Sequence, residues 1–371
     1  MSYLGQNIGK LGFGLMRLPK TEDKQIDIEQ TKQMVDAFLA AGFTYFDTAY
    51  GYTGSEEAIR KALVERYPRE KYQLATKLPA WAGAKTAEEA KAMFDTSLER
   101  TAAGYFDFYL LHNVGGNRTK VFDDFGIWDY ALSLRDKGLI KHVGFSYHGK
   151  ADALDEVLAA HPEMEFVQLQ INYADWEDRE VQSRLCLETA QKYGKPVVIM
   201  EPVKGGLLAA PPQSAADILS AADPEASPAS WALRFAASQK GIITVLSGMS
   251  NMAQMQENLA TMSAFKPLDE KELAAVKDAA AAIAAIPTVP CTSCHYCEKG
   301  CPNSVRIPSI ISALNRYLIY GNLASSKGSY GFATMSGGKA SECVQCMQCE
   351  EVCPQHIDIT GNLAKAAQLF E

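Results

Sequence analysis

The sequence predicts an α/β fold, a (β/α)8 TIM barrel followed by a smaller, mainly helical domain. Three observations predict it: a length of 371 residues, alternating strand-like and helix-like segments over residues 11–265, and a cysteine-rich region at 291–353. An α/β barrel takes about 250 residues, so the chain has room for a second domain. The two predicted domains are residues 1–287 and 288–371.

Composition narrows the class of protein. The chain is 47% hydrophobic and 22% charged, which is typical of globular proteins and excludes disordered and fibrous classes. Its formal net charge is -8, without a long block of like charges, so nucleic acid is not an expected partner. No segment has the roughly 20 apolar residues of a membrane span, and the start lacks the pattern of a signal peptide. We therefore expect a cytoplasmic protein.

Eight short runs rich in β-branched and aromatic residues predict the strands of the barrel. Amphipathic segments lie between them, so the strands should run parallel. The predicted strands are residues 11–15, 43–47, 72–77, 106–112, 141–146, 166–171, 196–200 and 242–246. The predicted helices include residues 28–41, 55–67, 86–101 and 181–193.

Polar residues follow or end seven of these strands. The carboxyl ends of all strands of an α/β barrel meet at one mouth, where the active sites of this fold lie. One polar residue at a strand end is common, but seven convergent ones indicate a functional cavity. These residues are Asp47, Lys77, His112, Ser146, Asn172, Glu201 and Ser247.

Two prolines mark the boundary between the domains. An alanine-rich segment, residues 270–286, predicts a helix, and Pro287 and Pro290 follow it directly. In the second domain, residues 307–320 predict another helix. Residues 321–339, rich in glycine and serine, predict a loop.

The cysteines of the second domain form two copies of the pattern CxxCxxCxxxCP. In this spacing three thiolates of one copy bind a four-iron four-sulfur (4Fe-4S) cluster and the fourth binds the other cluster. A zinc site favours paired CxxC motifs and fits the pattern poorly. Residues 288–360 resemble the dicluster ferredoxins, of the α-helical type, so we expect a ferredoxin-like iron-sulfur domain. The predicted ligands are Cys291, Cys294, Cys297 and Cys353 for one cluster, and Cys343, Cys346, Cys349 and Cys301 for the other.

The first domain carries a second specific set of residues. Residues 47–56 contain the pattern DTAxxY followed by Ser-Glu, Lys77 ends the third strand in ATKLP, and His112 ends the fourth in DFYLLHN. Over residues 8–265 the chain therefore resembles the aldo-keto reductases. The resemblance implies reduction of a carbonyl, or oxidation of an alcohol, with a nicotinamide cofactor. The implied catalytic residues are Asp47, Tyr52, Lys77 and His112.

The implied chemistry assigns a role to each of the four. Hydride addition to a carbonyl leaves an alkoxide that needs a proton, and Tyr52 would supply it. Lys77 would lower the pKa of that phenol, and Asp47 would hold Lys77 in an ion pair. His112, neutral, would orient the carbonyl oxygen. Tyr50 is the rival acid, but the family spacing favours Tyr52.

The same resemblance implies a nucleotide site. Ser146 and Gln170 take the positions that hydrogen-bond the nicotinamide carboxamide. Family members that prefer NADPH place Lys or Arg in the loop 247–258, and this chain has neither there, so NADH should bind at least as well as NADPH. A flavin phosphate also suits such a loop. The implied cofactor-binding residues are Ser146, Gln170, Met200, Pro202, Lys204, Gly206, Ser247, Gly248, Ser250, Gln254 and Asn258.

Three functions fit these features. The leading hypothesis is an iron-sulfur aldo-keto reductase whose two clusters transfer electrons. The alternatives are a flavin-dependent electron-transfer oxidoreductase on the same barrel and a redox-sensing nucleotide-binding subunit. A hydride carries two electrons whereas a cluster accepts one, so a converter between them is required. The expected partners are a small carbonyl or alcohol substrate and a redox partner protein.

Overall fold

The computed structural model describes residues 4–371, so the first three residues of the predicted domain 1–287 lie outside it. Over this range eight parallel strands close a barrel in sequential order, which confirms the predicted fold class. The strands are β1 Leu11–Gly14, β2 Tyr45–Asp47, β3 Gln73–Leu78, β4 Phe106–Val114, β5 Ile140–Tyr147, β6 Phe166–Gln170, β7 Val197–Met200 and β8 Ile242–Ser247.

Helices connect the strands, because the amphipathic segments between them bury one apolar face. The predicted helix at 55–67 is α2, which continues as a π-helical turn over Arg60–Val64. The helices up to the end of the predicted barrel are α1 Ile28–Ala40, α2 Ser55–Ile59, α3 Ala87–Thr101, α4 Asn117–Asp124, α5 Ile127–Asp136, α6 Ala151–Ala160, α7 Ser183–Lys192, α8 Gln213–Ala222, α9 Pro228–Ala237, α10 Met252–Ser263 and α11 Glu270–Ala284.

Side chains on each strand alternate between the barrel interior and the surrounding helices. Tyr45 and Phe108 belong to the apolar cluster that fills the interior. The inward rows of their strands continue to Asp47 and His112 at the carboxyl ends. The interior therefore changes from apolar to polar towards the mouth, where the predicted site lies.

The chain divides into two compact units. One contains the chain up to Ala209 together with Leu219–Lys277, and the other contains Ala210–Ile218 and Asp278–Glu371. The second unit thus includes a short segment from the barrel sequence and begins within α11. The predicted boundary at residue 287 stays a prediction.

The second unit consists of short helices around an apolar core that includes Ile310, Leu314 and Leu363. Its remaining helices are α12 Ile307–Tyr320, α13 Leu323–Ala333, α14 Gln348–Glu351 and α15 Ile359–Phe370. Among the described helices of the whole chain, none has the length and apolar character to cross a membrane.

The predicted loop at 321–339 is wrong in part, because α13 lies within it. Glycine and serine disfavour helices, but Asn322 caps this one by accepting a hydrogen bond from the Ser325 amide at 2.9 Å. Tyr330 is buried on its inner face, and its hydroxyl donates to Glu371 at 2.5 Å. The cap and the burial of Tyr330 outweigh the intrinsic preference of the segment.

Candidate functional site

A cavity of about 500 Å³ opens at the carboxyl ends of the barrel strands. All four residues predicted to be catalytic line it: Asp47, Tyr52, Lys77 and His112. Most of the predicted cofactor-binding residues line it as well. They are Ser146, Met200, Pro202, Gly206, Ser247, Gly248, Ser250, Gln254 and Asn258.

Asp47 and Lys77 form a buried ion pair at the base of the cavity. Lys77 Nζ donates to Asp47 Oδ1 at 2.5 Å and to the Thr48 carbonyl at 2.7 Å, and both charged side chains are at most 4% exposed. Burial tends to lower the pKa of Lys77, but the charges of Asp47 and Tyr52 and their hydrogen bonds raise it above its ordinary value. Lys77 is therefore a cation at neutral pH.

Tyr52 lies directly beside this cation. Lys77 Nζ is 4.8 Å from the centroid of the Tyr52 ring, and the His112 ring meets Tyr52 edge-on with centroids 5.8 Å apart. Burial raises the pKa of Tyr52 above its ordinary value, and Lys77 opposes this rise without cancelling it. Lys77 thus acts on the pKa of Tyr52 in the expected direction, but the predicted net lowering of that pKa is wrong because burial has the larger effect.

His112 is neutral at physiological pH, as expected from the sequence. Burial, followed by the charge of Lys77, lowers the pKa of His112 to about 3. Its Nδ1 is buried and has no hydrogen-bond partner within residues 4–371. The backbone carbonyl of His112 accepts a hydrogen bond from Trp81 Nε1 at 2.6 Å, which joins the loop after β3 to strand β4.

Tyr50, the rival acid, does not line the cavity. The Arg100 guanidinium carbon lies 4.6 Å from its ring centroid, and the ring packs against the apolar layer outside the barrel. Of the two tyrosines, Tyr52 alone has access to the polar groups at the mouth.

The structure brings Gln168 to the cavity instead of Gln170. Gln168 Nε2 lies 3.5 Å from Asp47 Oδ2, and its Oε1 is buried without a hydrogen-bond partner in the described chain. Gln168 is also the register partner of Ser146 on the neighbouring strand. Gln170 turns away and donates to Asp175 at 2.9 Å. The two glutamines are two residues apart on one strand and so share one face of it. The alternating sequence pattern therefore could not show which of them lines the cavity.

Lys204 likewise lies away from the cavity wall, because it forms an ion pair with Asp175, whose side chain is 3% exposed. Arg17, which follows β1, lines the cavity in its place. Its Nη1 donates to the Gly205 carbonyl at 3.1 Å, and its side chain contacts the position of Gly248. Arg17 lies three residues after the end of β1, and this position of a cation near a strand end was the sequence signal that could have identified it.

The loop after β8 presents the first turn of α10 to the cavity. Asn251 caps the helix by accepting from the Gln254 amide at 2.9 Å, and Gln254 Oε1 accepts from the Ser250 amide at 2.7 Å. Asn258 Nδ2 donates to Ser247 Oγ at 2.9 Å and fixes the loop to the end of the strand. Free backbone amides at a helix start suit a phosphate group.

The eight cysteines of the two motifs line two separate cavities in the second unit. Their grouping is the predicted crossed one, and Ile307 lines both cavities. The thiols surround small spaces of about 20 Å³ each. In the described part of the chain, no three acidic, histidine or cysteine side chains are placed to hold a single metal ion. One cavity has Cys291, Cys294, Cys297 and Cys353, and the other has Cys301, Cys343, Cys346 and Cys349.

The two motifs also share an unusual backbone conformation. At equivalent positions of both motifs, residues other than glycine have φ between 50° and 61°. Alternating backbone conformations of this kind form concave sites of amide groups, which bind phosphates and iron-sulfur clusters. The equivalent pairs are Ser293 and Gln345, His295 and Met347, and Ser304 and His356.

Comparison with known sequences matches the chain to two families. The aldo/keto reductase family matches residues 10–281, and the 4Fe-4S dicluster domain matches residues 290–357. An aldo-keto reductase of Mycolicibacterium smegmatis is 28% identical over 207 residues, which cover 55% of this chain and 70% of that protein. L-galactose dehydrogenase of Arabidopsis thaliana is 26% identical over 306 residues, 74% of this chain and 91% of the relative. An aldo-keto reductase of Mycobacterium sp. is 30% identical over 142 residues, so the chain spans about half the length of that relative, 47%.

Comparison with solved structures supports the fold. An aldo-keto reductase from Bacillus halodurans, in its holo form, has a TM-score of 0.57 at 22% identity and covers 75% of this chain and 95% of its own. An aldo-keto reductase from Klebsiella pneumoniae in complex with NADPH has a TM-score of 0.56 at 20% identity, covering 74% and 94%. At this identity the likeness concerns the barrel fold alone.

Proposed function

Because the chain belongs to the aldo/keto reductase family and carries a 4Fe-4S dicluster domain, we propose that it is an iron-sulfur oxidoreductase that interconverts a carbonyl and an alcohol with a nicotinamide cofactor. The observation that carries the proposal is the convergence of Asp47, Tyr52, Lys77 and His112 on one cavity. L-galactose dehydrogenase, a relative matched over most of its length, has a name that describes alcohol oxidation.

Each of the four residues would act on the carbonyl oxygen or on its proton donor. When bound, a reduced nicotinamide would supply a hydride for the carbonyl carbon. Tyr52 would give its hydroxyl proton to the oxygen and regain one from solvent, and Lys77 would stabilise the phenolate formed meanwhile. Asp47 keeps Lys77 in place through the buried ion pair. His112, neutral at working pH, would donate a hydrogen bond to the same oxygen.

The cavity wall fits a nicotinamide nucleotide. Gln168 has a buried oxygen without a partner in the described chain, and Ser146 lies level with it on the next strand. These two side chains would hold the carboxamide, with Met200 beside the ring. The first turn of α10 would receive a phosphate.

The charge around this nucleotide site bears on the choice of coenzyme. The loop 247–258 has no Lys or Arg, and Arg17 is the cation that lines the same part of the wall. A 2′-phosphate without a charge-assisted bond loses hydration without compensation. NADH should therefore bind at least as well as NADPH. A titration in which NADPH binds more than about tenfold tighter, about 1.4 kcal/mol, would contradict this unless Arg17→Ala removes the difference.

The second unit would hold two 4Fe-4S clusters in the crossed arrangement. Each cavity presents four cysteine thiols, and the Val305 amide donates to Cys301 Sγ at 3.3 Å, a bond that stabilises a thiolate ligand. The clusters would exchange single electrons with a redox partner protein, and coupling them to the nicotinamide would require a converter between two-electron and one-electron transfer. The cytoplasmic location stays a prediction from the sequence.

The test is anaerobic purification followed by iron and sulfide assays, an absorbance spectrum and a turnover screen. We expect close to eight iron atoms per chain, and oxidation of NADH by members of a panel of aldehydes and ketones. A bound flavin, with no turnover of any carbonyl by NADH or NADPH, would favour the flavin-dependent alternative. Nucleotide binding that changes affinity for a protein partner, without turnover, would favour the redox-sensing subunit.

A further inference from the structure

Arg118 stands at the end of a row of aromatic side chains that starts at the proposed acid. It lies in the first turn of α4, directly after β4. Its guanidinium carbon is 5.7 Å from the centroid of the Trp81 ring, and Trp81 is 6.3 Å from the His112 ring. His112 in turn contacts Tyr52 edge-on. A substrate whose carbonyl reaches Tyr52 and His112 would extend along this row towards Arg118.

Among the residues that the structure describes, the guanidinium of Arg118 has no anionic partner. Its Nε is buried without a hydrogen-bond acceptor, and no carboxylate within residues 4–371 forms an ion pair with it. Asp152 lines the same cavity of about 490 Å³ but is not paired with it. Burial lowers the pKa of Arg118. A partly desolvated cation without a counter-ion gains from an anion that binds beside it, so this site suits an anion from outside the chain.

The position of Arg118 in the barrel separates it from the nucleotide site. The strands follow one another around the ring in sequential order, so the loop after β4 lies across the mouth from the loop after β8. The segments that would hold the phosphates of the nucleotide follow β7, β8 and β1, and its carboxamide would lie against Ser146 on β5 and Gln168 on β6. The cation therefore faces the substrate side of the mouth.

The charge of Arg118 acts on the reacting end of the cavity. It contributes to the lowered pKa of His112, after burial, Lys77 and His148, and it is the largest charge effect on His148 after burial. His148 lines the main cavity, whereas its chain neighbours Tyr147 and Gly149 line the cavity of Arg118. The linings of the two cavities thus alternate along residues 147–149.

We propose that the substrate carries an anionic group, a carboxylate or a phosphate, which Arg118 binds while Tyr52 and His112 address the carbonyl. This rests on the proposed carbonyl reduction. A planar guanidinium forms paired, charge-assisted hydrogen bonds with either group, and Trp81 provides the apolar surface for the carbon chain between the two ends.

The kinetic test compares matched aldehydes with NADH as coenzyme. Succinic semialdehyde is compared with butanal, and glyceraldehyde 3-phosphate with glyceraldehyde, which separates a carboxylate from a phosphate. We expect kcat/KM of the wild type to be at least 10-fold higher for one anionic aldehyde than for its neutral counterpart. Arg118→Gln should reduce this ratio about 10- to 100-fold, mainly through KM, and Arg118→Lys should restore part of it. The control is Arg179→Gln, which removes the same charge from an exposed position outside both cavities.

A binding measurement separates this inference from the proposed reaction. Calorimetric titration of succinate, with succinamide as the neutral control, needs no turnover. Binding of succinate that Arg118→Gln abolishes and that 0.5 M salt weakens supports the inference even if no aldehyde is reduced. If glyceraldehyde 3-phosphate is the preferred substrate, inorganic phosphate replaces succinate as the probe. The inference would be overturned if succinate and inorganic phosphate each bound Arg118→Gln as tightly as they bind the wild type. It would also be overturned if Arg118→Gln lowered kcat/KM equally for charged and neutral aldehydes.

Discussion

Replacing Tyr52 by phenylalanine tests the proposed chemistry most directly, because it removes one hydroxyl and little else. The ring contacts with Lys77 at 4.8 Å and His112 at 5.8 Å involve the ring faces and edges, which phenylalanine keeps, and only the hydrogen bond between the hydroxyl and Lys77 is lost. Nucleotide affinity and iron content should therefore persist. Loss of a general acid lowers a rate about 10²- to 10⁴-fold, which adds about 3 to 5 kcal/mol to the barrier.

The assay is steady-state and single-turnover reduction of the best aldehyde from the screen, under anaerobic conditions. We expect kcat and kcat/KM of Tyr52→Phe to fall together, since the proton is transferred in the transition state. Tyr50→Phe is the matched control, because Tyr50 packs outside the cavity and should keep full turnover. Near wild-type turnover by Tyr52→Phe would refute the assignment of the acid.

Further predictions concern the other residues of the two sites. Since burial holds the pKa of His112 near 3, kcat/KM for reduction should show no histidine step between about pH 5 and 8, and a step near 6.5 that His112→Gln removes would contradict this. Lys77→Met leaves Asp47 buried without a counter-ion, so it should lower the free energy of unfolding, measured in urea, by about 3 to 5 kcal/mol. Adding Asp47→Asn to this variant should recover part of the lost stability. Cys301→Ala should first remove iron from the cavity that holds three thiols of the second motif, and Cys353→Ala from the cavity of the first motif. Electron paramagnetic resonance follows both losses. If both variants lost iron from the same cavity, the crossed arrangement would be disproved.

The fold was predictable because each of its signals is local. Eight strand-like runs alternate with amphipathic segments, and every run corresponds to a strand of the closed barrel. The helix at Leu323–Ala333 was not predictable, since its glycines and serines oppose helix formation. It depends on the burial of Tyr330 and on a contact with Glu371, far away in the sequence. Local preference fails where packing between distant residues decides.

The residues of the candidate site were likewise predictable only where the signal is local. Asp47, Lys77 and His112 were predictable because strand parity and position at a strand end place them in the cavity. Gln170 shares those properties and Lys204 lies in the loop after β7, but the buried carboxylate of Asp175 binds both of them. Whether such a side chain lines the cavity or pairs with a buried carboxylate depends on distances in three dimensions, which the local sequence pattern does not specify.

The crossed arrangement of the cysteines has a consequence for the stability of the second unit. Each cavity takes three thiols from one motif and one from the other, so neither motif can complete a cluster site alone. Ile307, at the start of α12, forms part of both walls, and the same helix supplies much of the apolar core. Binding of one cluster would therefore order the fourth ligand of the other, because the chain segments that carry Cys301 and Cys353 each belong to both sites. Metal binding and folding are coupled in such sites. The two motifs would thus act as one binding and folding unit, and we expect a chain with only one motif intact to lose both clusters or to retain one with an incomplete ligand set.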